Sequence, residues 1–127
     1  MRKQDILRGF GAFTRVIEEG RSIGGQPISL FYRRNPTAKA EFKVGFSVSR
    51  RLRRAADRNY VRRLMREAFR LRTPLEPATN NGQTGGIEAV FMYTGLAKPG
   101  KNERPSLKAV EIALDRLLTE LREKISS

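Results

Sequence analysis

The spacing of hydrophobic positions changes along the chain and divides it into elements. Near the amino terminus, apolar residues recur at helical spacing at Phe10, Phe13, Val16 and Ile17. This pattern stops at Gly20, and glycine is the favoured residue just beyond the end of a helix. The spacing therefore predicts a first helix over residues 10–19.

An extended pattern follows this helix. Residues 21–23 favour a short strand, the pair Gly24-Gly25 interrupts it, and residues 28–33 and 42–49 alternate between apolar and polar side chains. One side of the alternating segments carries Ile28, Leu30, Tyr32, Val44, Phe46 and Val48. The other side carries Ser29, Phe31, Arg33, Lys43, Gly45, Ser47 and Ser49. This second, mostly small and polar sheet face is typical of a solvated surface, and it can also lie open to a bound molecule.

Residues 57–71 form the sharpest pattern in the chain, a helix in which Asp57 is the N-cap or a first-turn acid. Each residue rotates the side chain by about 100°. A buried stripe is predicted at Val61, Leu64, Met65, Ala68 and Leu71, and the opposite side is predicted to carry Arg58, Asn59, Arg62, Arg63, Arg66 and Arg70.

The last third of the chain alternates between loops and regular elements. Residues 73–86 and 95–104 read as loops, and residues 87–94 read as a strand because of their β-branched and aromatic content. Pro105 is expected in the first turn of a terminal amphipathic helix. The apolar stripe of that helix consists of Leu107, Val110, Leu114, Leu117, Leu118, Leu121 and Ile125. The predicted order is helix, two or three strands, helix, strand, helix.

Composition narrows the classes of function. A chain of 127 residues forms one domain, and a net charge of +13 together with 39% hydrophobic residues indicates a folded protein whose partner is a polyanion. The absence of Cys and His excludes a disulfide framework, a zinc finger, a thiol nucleophile and a histidine base. No apolar run has the length of a membrane helix or the position of a signal peptide, so we expect a soluble cytoplasmic protein without a membrane partner.

The arginine side of the helix over residues 57–71 points to phosphate. Like charges at helical spacing repel, and the planar guanidinium fork matches phosphate oxygens. A solvated helix surface is the plain alternative, although such surfaces usually mix signs. No groove-reading DNA motif is present, whereas arginines beside an exposed aromatic suit RNA. A ribosomal or assembly protein and a stand-alone nuclease remain alternatives.

Residues 44–69 read VGFSVSRRLRRAADRNYVRRLMREAF, and this segment resembles the signature of the bacterial ribonuclease P protein family. The order Arg58-Asn59, Arg62-Arg63 and Arg66-Glu67-Ala68-Phe69 is similar to the basic helix of that family. Upstream, Phe13-Thr14-Arg15-Val16, Gly20-Arg21-Ser22 and Leu30-Phe31-Tyr32 resemble its first helix, turn and strand. The resemblance covers about residues 10–71. Two positions depart from it: Tyr60 stands where the family motif usually has Arg, and Arg53 stands where the family tends to have Gly.

The resemblance implies an α/β (α+β) two-layer sandwich in the order αβββαβα. It further implies a four-stranded sheet and a left-handed βαβ crossover, as in one domain of a small-subunit ribosomal protein. The whole of residues 1–127 would be a single ribonuclease P protein domain. It would bind the catalytic RNA and precursor tRNA, without an obligate protein partner, and assist removal of the 5′ leader. The protein would be an accessory subunit with no catalytic residue and no metal site of its own, since magnesium would be held mainly by the RNA subunit.

Site residues follow from the basic pattern and the resemblance together. The predicted RNA-binding residues are Arg58, Asn59, Arg62, Arg63, Arg66 and Arg70, with Arg50 and Arg51 in a basic run that supplies diffuse attraction. The resemblance implies that Phe13, Ile17 and Phe31 line a cleft for the single-stranded leader, although Phe13 and Ile17 are also ordinary core residues at i,i+4 spacing. Lys43, Ser47 and Ser49 share the strand side of this predicted leader cleft.

Overall fold

The computed structural model describes residues 10–35, 42–50, 52–70, 86–95 and 105–126. Within these ranges the chain forms three helices and one four-stranded sheet. In chain order the elements are α1 (Phe10–Glu19), β1 (Arg21–Ile23), β2 (Ile28–Asn35), β3 (Phe42–Val48), α2 (Ala55–Arg70), β4 (Gly86–Tyr93) and α3 (Leu107–Ser126). The predicted αβββαβα order and the α+β fold class are confirmed.

The sheet has the spatial order β1-β2-β4-β3. β1 pairs antiparallel with β2, and β2 pairs antiparallel with β4. β3 and β4 run parallel, with Phe46 opposite Phe91, and α2 connects them along the chain. A parallel pair requires such a crossover because the chain must return to the starting end of the sheet. β3 is the edge strand of the sheet next to β4, and α2 is the next element along the chain.

The main core lies on the sheet face that α2 and α3 cover. Alternation along the strands places Leu30 and Phe46 on this face, as the sequence predicts, together with Phe91, and all three are buried. Phe46 stacks on Phe91 with ring centroids 6.0 Å apart, and Phe69 of α2 meets the edge of Phe46 at 5.8 Å. The helices contribute Val61, Met65, Ala68, Val110, Leu114, Leu117 and Leu121 to this core.

α1 packs on the other face of the sheet. Val16 of α1 and Val90 of β4 form a second, smaller core, and Phe13 and Phe31 pack against it. The backbone of Gly20 lies so close to the carbonyl oxygens of Tyr32 and Val16 that a side chain at position 20 would collide with both. Glycine at this position therefore lets the end of α1 sit directly against β2.

Several predicted boundaries differ from the observed ones. α2 starts at Ala55, two residues earlier than predicted, so Asp57 is a first-turn acid rather than the N-cap. Pro105 precedes α3, and Ser106 is the N-cap, because its Oγ accepts a hydrogen bond of 3.1 Å from the amide of Ala109. β3 and β4 end one residue early, at Val48 and Tyr93, whereas β2 continues to Asn35. Gly86, predicted as the end of the loop over 73–86, is instead the first residue of β4, because it pairs with Asn35 of β2. The side chain of Ile125, Leu71, and the rest of the predicted loops over 73–86 and 95–104 apart from Gly95 lie outside the described parts.

Candidate nucleic-acid interface

The exposed side of α2 carries most of the predicted RNA-binding residues. Helical geometry places it opposite the buried Val61, Met65 and Ala68. We call this surface the basic face; it consists of Asn59, Arg62, Arg63, Arg66 and Arg70. Of these, Asn59, Arg63, Arg66 and Arg70 are exposed and Arg62 is half-buried. The basic face therefore presents four guanidinium groups to solvent along about three helical turns.

The arginines of the basic face differ in their partners. Arg62 donates from Nη1 to Oδ1 of Asn59 over 2.8 Å, so the asparagine holds one side of that guanidinium. Arg63 and Arg66 make no hydrogen bond or ion pair with any other described residue. The charges of these two side chains are therefore available to an anion without breaking an interaction within the described fold.

Arg70 is paired with Glu67 one turn earlier. Its Nη2 donates to Oε1 of Glu67 over 2.6 Å, and its Nε donates to Oε2 over 3.2 Å. The hydrogen bonds from Arg70 and the charge of its guanidinium lower the pKa of Glu67, and the same pairing raises the pKa of Arg70. Because the pair is exposed, solvent and salt screen it, and a phosphate can compete with Glu67 for the guanidinium fork.

Arg58 does not lie on the basic face. This corrects the prediction that it lies on the same side of α2 as Arg62, Arg63 and Arg66. It lies beside the buried stripe of α2, and its Nη1 donates to the carbonyl oxygens of Leu52 and Arg53 over 2.6 and 2.9 Å. The side chain thereby satisfies backbone acceptors in the turn before the helix. Helical spacing could have shown this, since Arg58 is three residues before Val61 and seven before Met65, both of which are buried.

The predicted leader-cleft residues lie around the face of the sheet that α1 covers. Phe13, Ile17 and Phe31 are half-buried, and so are Lys43 and Ser47 on β3. The ring of Phe13 lies directly over Gly45, where a Cβ atom would collide with it. The expected open face is therefore partly filled by α1, and Lys43 and Ser47 flank the filled part. Ser49 follows the end of β3, and its amide donates to the carbonyl of Tyr93 over 2.8 Å.

Three charged residues that sequence reasoning missed close one end of this cleft. Arg33 of β2 donates from Nε to Oε1 of Glu88 on β4 over 2.8 Å, and from Nη1 to Oε2 of Glu19 on α1 over 3.1 Å. The side chains of Arg33 and Glu88 are only 19% and 16% exposed. The alternation placed Arg33 beside Phe31, but neither the pairing of β2 with β4 nor the position of α1 could be deduced from it.

The basic face and the leader cleft lie on opposite sides of the sheet. α2 packs against the face of β3 that carries Phe46, whereas Phe13 covers Gly45 from the other face. Exposed Arg50, Arg53 and Arg54 lie along the chain between the end of β3 and the start of α2. Arg51, predicted as part of the same run, lies outside the described residues.

Two further properties bear on the chemistry. In the part of the chain that the structure describes, no three acidic side chains gather into a group that could hold a metal ion. Among the same residues, no helix combines the length and apolar content needed to cross a membrane.

Taken together, the fold and the arginine-bearing helix define a small, strongly basic α+β protein with a helix on one sheet face and a partly covered cleft on the other. The family model of ribonuclease P matches residues 1–120. The chain belongs to the ribonuclease P protein family, as the motif predicted, and the expected role in transfer RNA processing is confirmed at the level of this family.

Sequence relatives agree with this assignment. The chain is 34% identical to the ribonuclease P protein component of Pelotomaculum thermopropionicum, over 72% of this chain and 74% of the relative. It is 30% identical to that of Chlorobaculum tepidum, over 92% of this chain and 79% of the relative. With the ribonuclease P protein component of an Exiguobacterium strain it shares 39% identity, and that match spans 63% of the relative's length.

Solved structures show the same fold. The ribonuclease P protein of Thermotoga maritima superposes with a TM-score of 0.55 at 25% identity, covering 85% of this chain and 89% of that one. The Staphylococcus aureus protein gives a TM-score of 0.61 at 18% identity, covering 92% and 94% of the two chains. The second match supports the fold alone.

Proposed function

We propose that this chain is the accessory protein subunit of a bacterial ribonuclease P, which binds the catalytic RNA through the basic face and the precursor tRNA leader through the leader cleft. The observation that carries the proposal is the exposure of Arg63 and Arg66 without partners among the described residues. Membership of the ribonuclease P protein family indicates that the RNA partner is the ribonuclease P RNA. The cytoplasmic location stays a prediction.

The physical case for RNA at the basic face is electrostatic. Four arginines at helical spacing repel one another, and a string of phosphates removes this repulsion while each guanidinium donates paired hydrogen bonds. Arg62 enters this contact already oriented by Asn59. Neutralising RNA phosphates also releases counterions, so the affinity rises steeply as the salt concentration falls.

The case for the leader at the cleft rests on its residue types. Phe13 and Phe31 are only half-buried, so part of each ring remains accessible to an unpaired base. Base stacking on an aromatic side chain contributes about 1 to 3 kcal/mol per base without requiring a particular sequence. Lys43 and Ser47 stand on the same sheet face and suit the phosphates and sugars of the same strand.

We assign the hydrolytic step to the RNA subunit. The chain contains neither His nor Cys, and its described carboxylates do not form a ligand set for magnesium. The magnesium ions that the family implies are therefore proposed to be held mainly by the catalytic RNA. The protein would hold the leader extended and screen phosphate repulsion around the reacting bond.

The test is reconstitution with a bacterial ribonuclease P RNA and a precursor tRNA. At low magnesium the chain should stimulate release of the leader, and the R63Q/R66Q variant should stimulate it less. The matched control is R15Q/K108Q, which removes two exposed charges from α1 and α3. We expect the salt dependence of RNA affinity to weaken by about one slope unit per lost phosphate contact in R63Q/R66Q, and the control to resemble the original protein.

The same assay separates the alternatives. Digestion of the catalytic RNA before substrate is added should abolish cleavage, because the protein alone is proposed to be inactive. Persistent cleavage would identify a stand-alone nuclease. An unchanged cleavage rate on addition of the protein at low magnesium would overturn the proposed subunit role.

A further inference from the structure

A second cationic surface lies at the opposite edge of the sheet from the basic face. A groove of about 450 Å³ opens where the end of α1, strands β1 and β2 and the last turn of α3 meet. We call it the edge groove; its lining includes Arg21, Arg33, Arg34, Lys124 and Glu19. Four of these five charged residues are cations.

The strand register explains why three of the cations converge. Arg21 on β1 is directly opposite Tyr32 on β2, and Arg34 lies two residues beyond Tyr32. Arg21 and Arg34 therefore leave the sheet on the side of Ile23 and Tyr32, which is the side that α3 covers. Lys124 in the last turn of α3 lies in the same groove, and all three side chains are exposed.

The negative charge in the groove is already engaged. Glu19 accepts a hydrogen bond from Arg33, which is also held by Glu88 on the other face of the sheet. Arg33 and Glu19 therefore form part of the internal structure, and Arg21, Arg34 and Lys124 add three further cations to the lining. A cation near the end of α3 also interacts favourably with the helix dipole, but this effect concerns Lys124 alone.

The chemistry of the lining favours a phosphate chain over a protein partner. Tyr32 is the apolar member of the lining, and it is 7% exposed because its ring belongs to the main core. Among its described lining residues, the groove thus lacks the accessible aromatic or aliphatic anchor that usually dominates a protein interface. Two guanidinium groups and an ammonium group around a concave surface suit the oxygens of successive phosphates.

We propose that the edge groove binds the phosphate backbone of a second segment of the catalytic RNA, separate from the segment at the basic face. This inference rests on the proposed function, since it takes the catalytic RNA as the partner. The two sheet edges are three strand spacings apart, about 14 Å, so the edge groove contacts phosphates that the basic face does not reach.

The first experiment compares R21Q/R34Q with R15Q/K108Q in binding to a bacterial ribonuclease P RNA over a range of salt concentrations. Arg21 and Arg34 are exposed, so R21Q/R34Q should fold normally, as thermal unfolding would verify. We expect the salt slope to fall by about one unit for each lost contact. Near 0.1 M salt, each lost unit corresponds to about tenfold weaker binding, since affinity varies as a power of the salt concentration.

The second experiment maps the RNA segment directly. The chain contains no Cys, so a single E123C variant can carry an iron-EDTA probe beside Lys124 without competing thiols. Hydroxyl radicals from this probe should cut the catalytic RNA at nucleotides that differ from those cut by a probe at A56C, in the first turn of α2.

The outcomes distinguish this inference from the proposed function. If R21Q/R34Q binds like R15Q/K108Q while R63Q/R66Q binds weakly, the proposed function stands and the edge groove has no role in binding the catalytic RNA. Weakened binding of precursor tRNA alone would likewise overturn the assignment to the catalytic RNA. If none of the charge variants differs from the original protein, the proposed function itself fails.

Discussion

The arginines of α2 differ in their exposure and in their hydrogen-bond partners, although their residue type is the same. Arg63 and Arg66 are exposed and have no partner among the described residues, whereas Arg58 is bound to backbone carbonyls and Arg70 to a carboxylate. A guanidinium that already donates to the protein must give up or share those hydrogen bonds to bind phosphate. The contribution of each arginine to RNA affinity should therefore follow its existing partners.

Arg58 should contribute more to stability than to RNA affinity. In R58Q the carbonyls of Leu52 and Arg53 lose their charged donor, and urea unfolding should show a loss of about 1.5 to 3 kcal/mol, the range for hydrogen bonds that involve a charged group. R63Q is the control and should unfold like the original protein. An R58Q variant that kept its stability but lost RNA affinity would instead place Arg58 in the interface.

Glu67 should restrain RNA binding by holding Arg70. The E67Q variant removes the charge-assisted partner of Arg70 and one negative charge beside the basic face, so affinity for the catalytic RNA should rise and its salt slope should steepen by up to about one unit. E18Q removes an equal charge from the exposed side of α1 and serves as the control. Equal affinities of E67Q and E18Q for the catalytic RNA would contradict the competition.

The contribution of the Glu67–Arg70 pair to the stability of the fold depends on pH. Because Arg70 lowers the pKa of Glu67 in the folded chain, the pair stabilises the fold above the ordinary glutamate pKa. This contribution is lost as the pH falls through the lowered value. At neutral pH the carboxylate is ionised and the pair is formed, so the E67Q comparison measures its full effect.

For α2 the helical period of the sequence was strong, and it predicted correctly which side of the helix is buried. Val61, Met65 and Ala68 are buried as expected, and Arg62, Arg63 and Arg66 point away from them. Arg58 was predicted on the side opposite the buried stripe with the other arginines, although its spacing from Val61 already placed it near the core. The partners of Arg33 could not be predicted, because Glu19 and Glu88 reach it only after the strands and α1 have packed.

At the scale of elements, local patterns predicted the segments but not how they assemble. Alternation identified β2 and β3, and the paired glycines separated β1 from β2. The position of α1 depends on two contacts distant in sequence, Phe13 over Gly45 and Gly20 against Tyr32. For this reason the sequence predicted an open sheet face, whereas α1 covers part of that face in the structure.

Arg33 should set how firmly α1 closes the leader cleft, since it joins the end of α1 to β4. In R33M the poorly exposed Glu88 loses this partner, and the fold should lose about 1 to 2 kcal/mol in urea unfolding. Because α1 carries Phe13, affinity for precursor tRNA should fall relative to mature tRNA. R15M has the same charge change on the exposed side of α1 and should affect neither measurement.

At the scale of the whole molecule, the positive charge is arranged at both edges of one sheet. The basic face follows the β3 edge through α2, and the edge groove lies at the β1 edge beneath the end of α3. The sheet and its core keep these surfaces apart, so a folded RNA can be held at two points while the leader cleft remains on the face between them. A net charge of +13 attracts RNA over the entire surface, but only fixed cations determine how that RNA is oriented.

This arrangement predicts that the two surfaces act independently. The reductions in salt slope measured for R63Q/R66Q and R21Q/R34Q should add in the quadruple variant R21Q/R34Q/R63Q/R66Q. Its affinity for the catalytic RNA should equal the product of the two separate effects within about twofold, as for sites with no shared partners. If R21Q/R34Q alone weakens binding, a quadruple variant no weaker than R63Q/R66Q would mean that one RNA segment engages both edges in turn. In that case the sheet would be a surface along which a single strand shifts, and the iron-EDTA probes at the two edges would cut the same nucleotides.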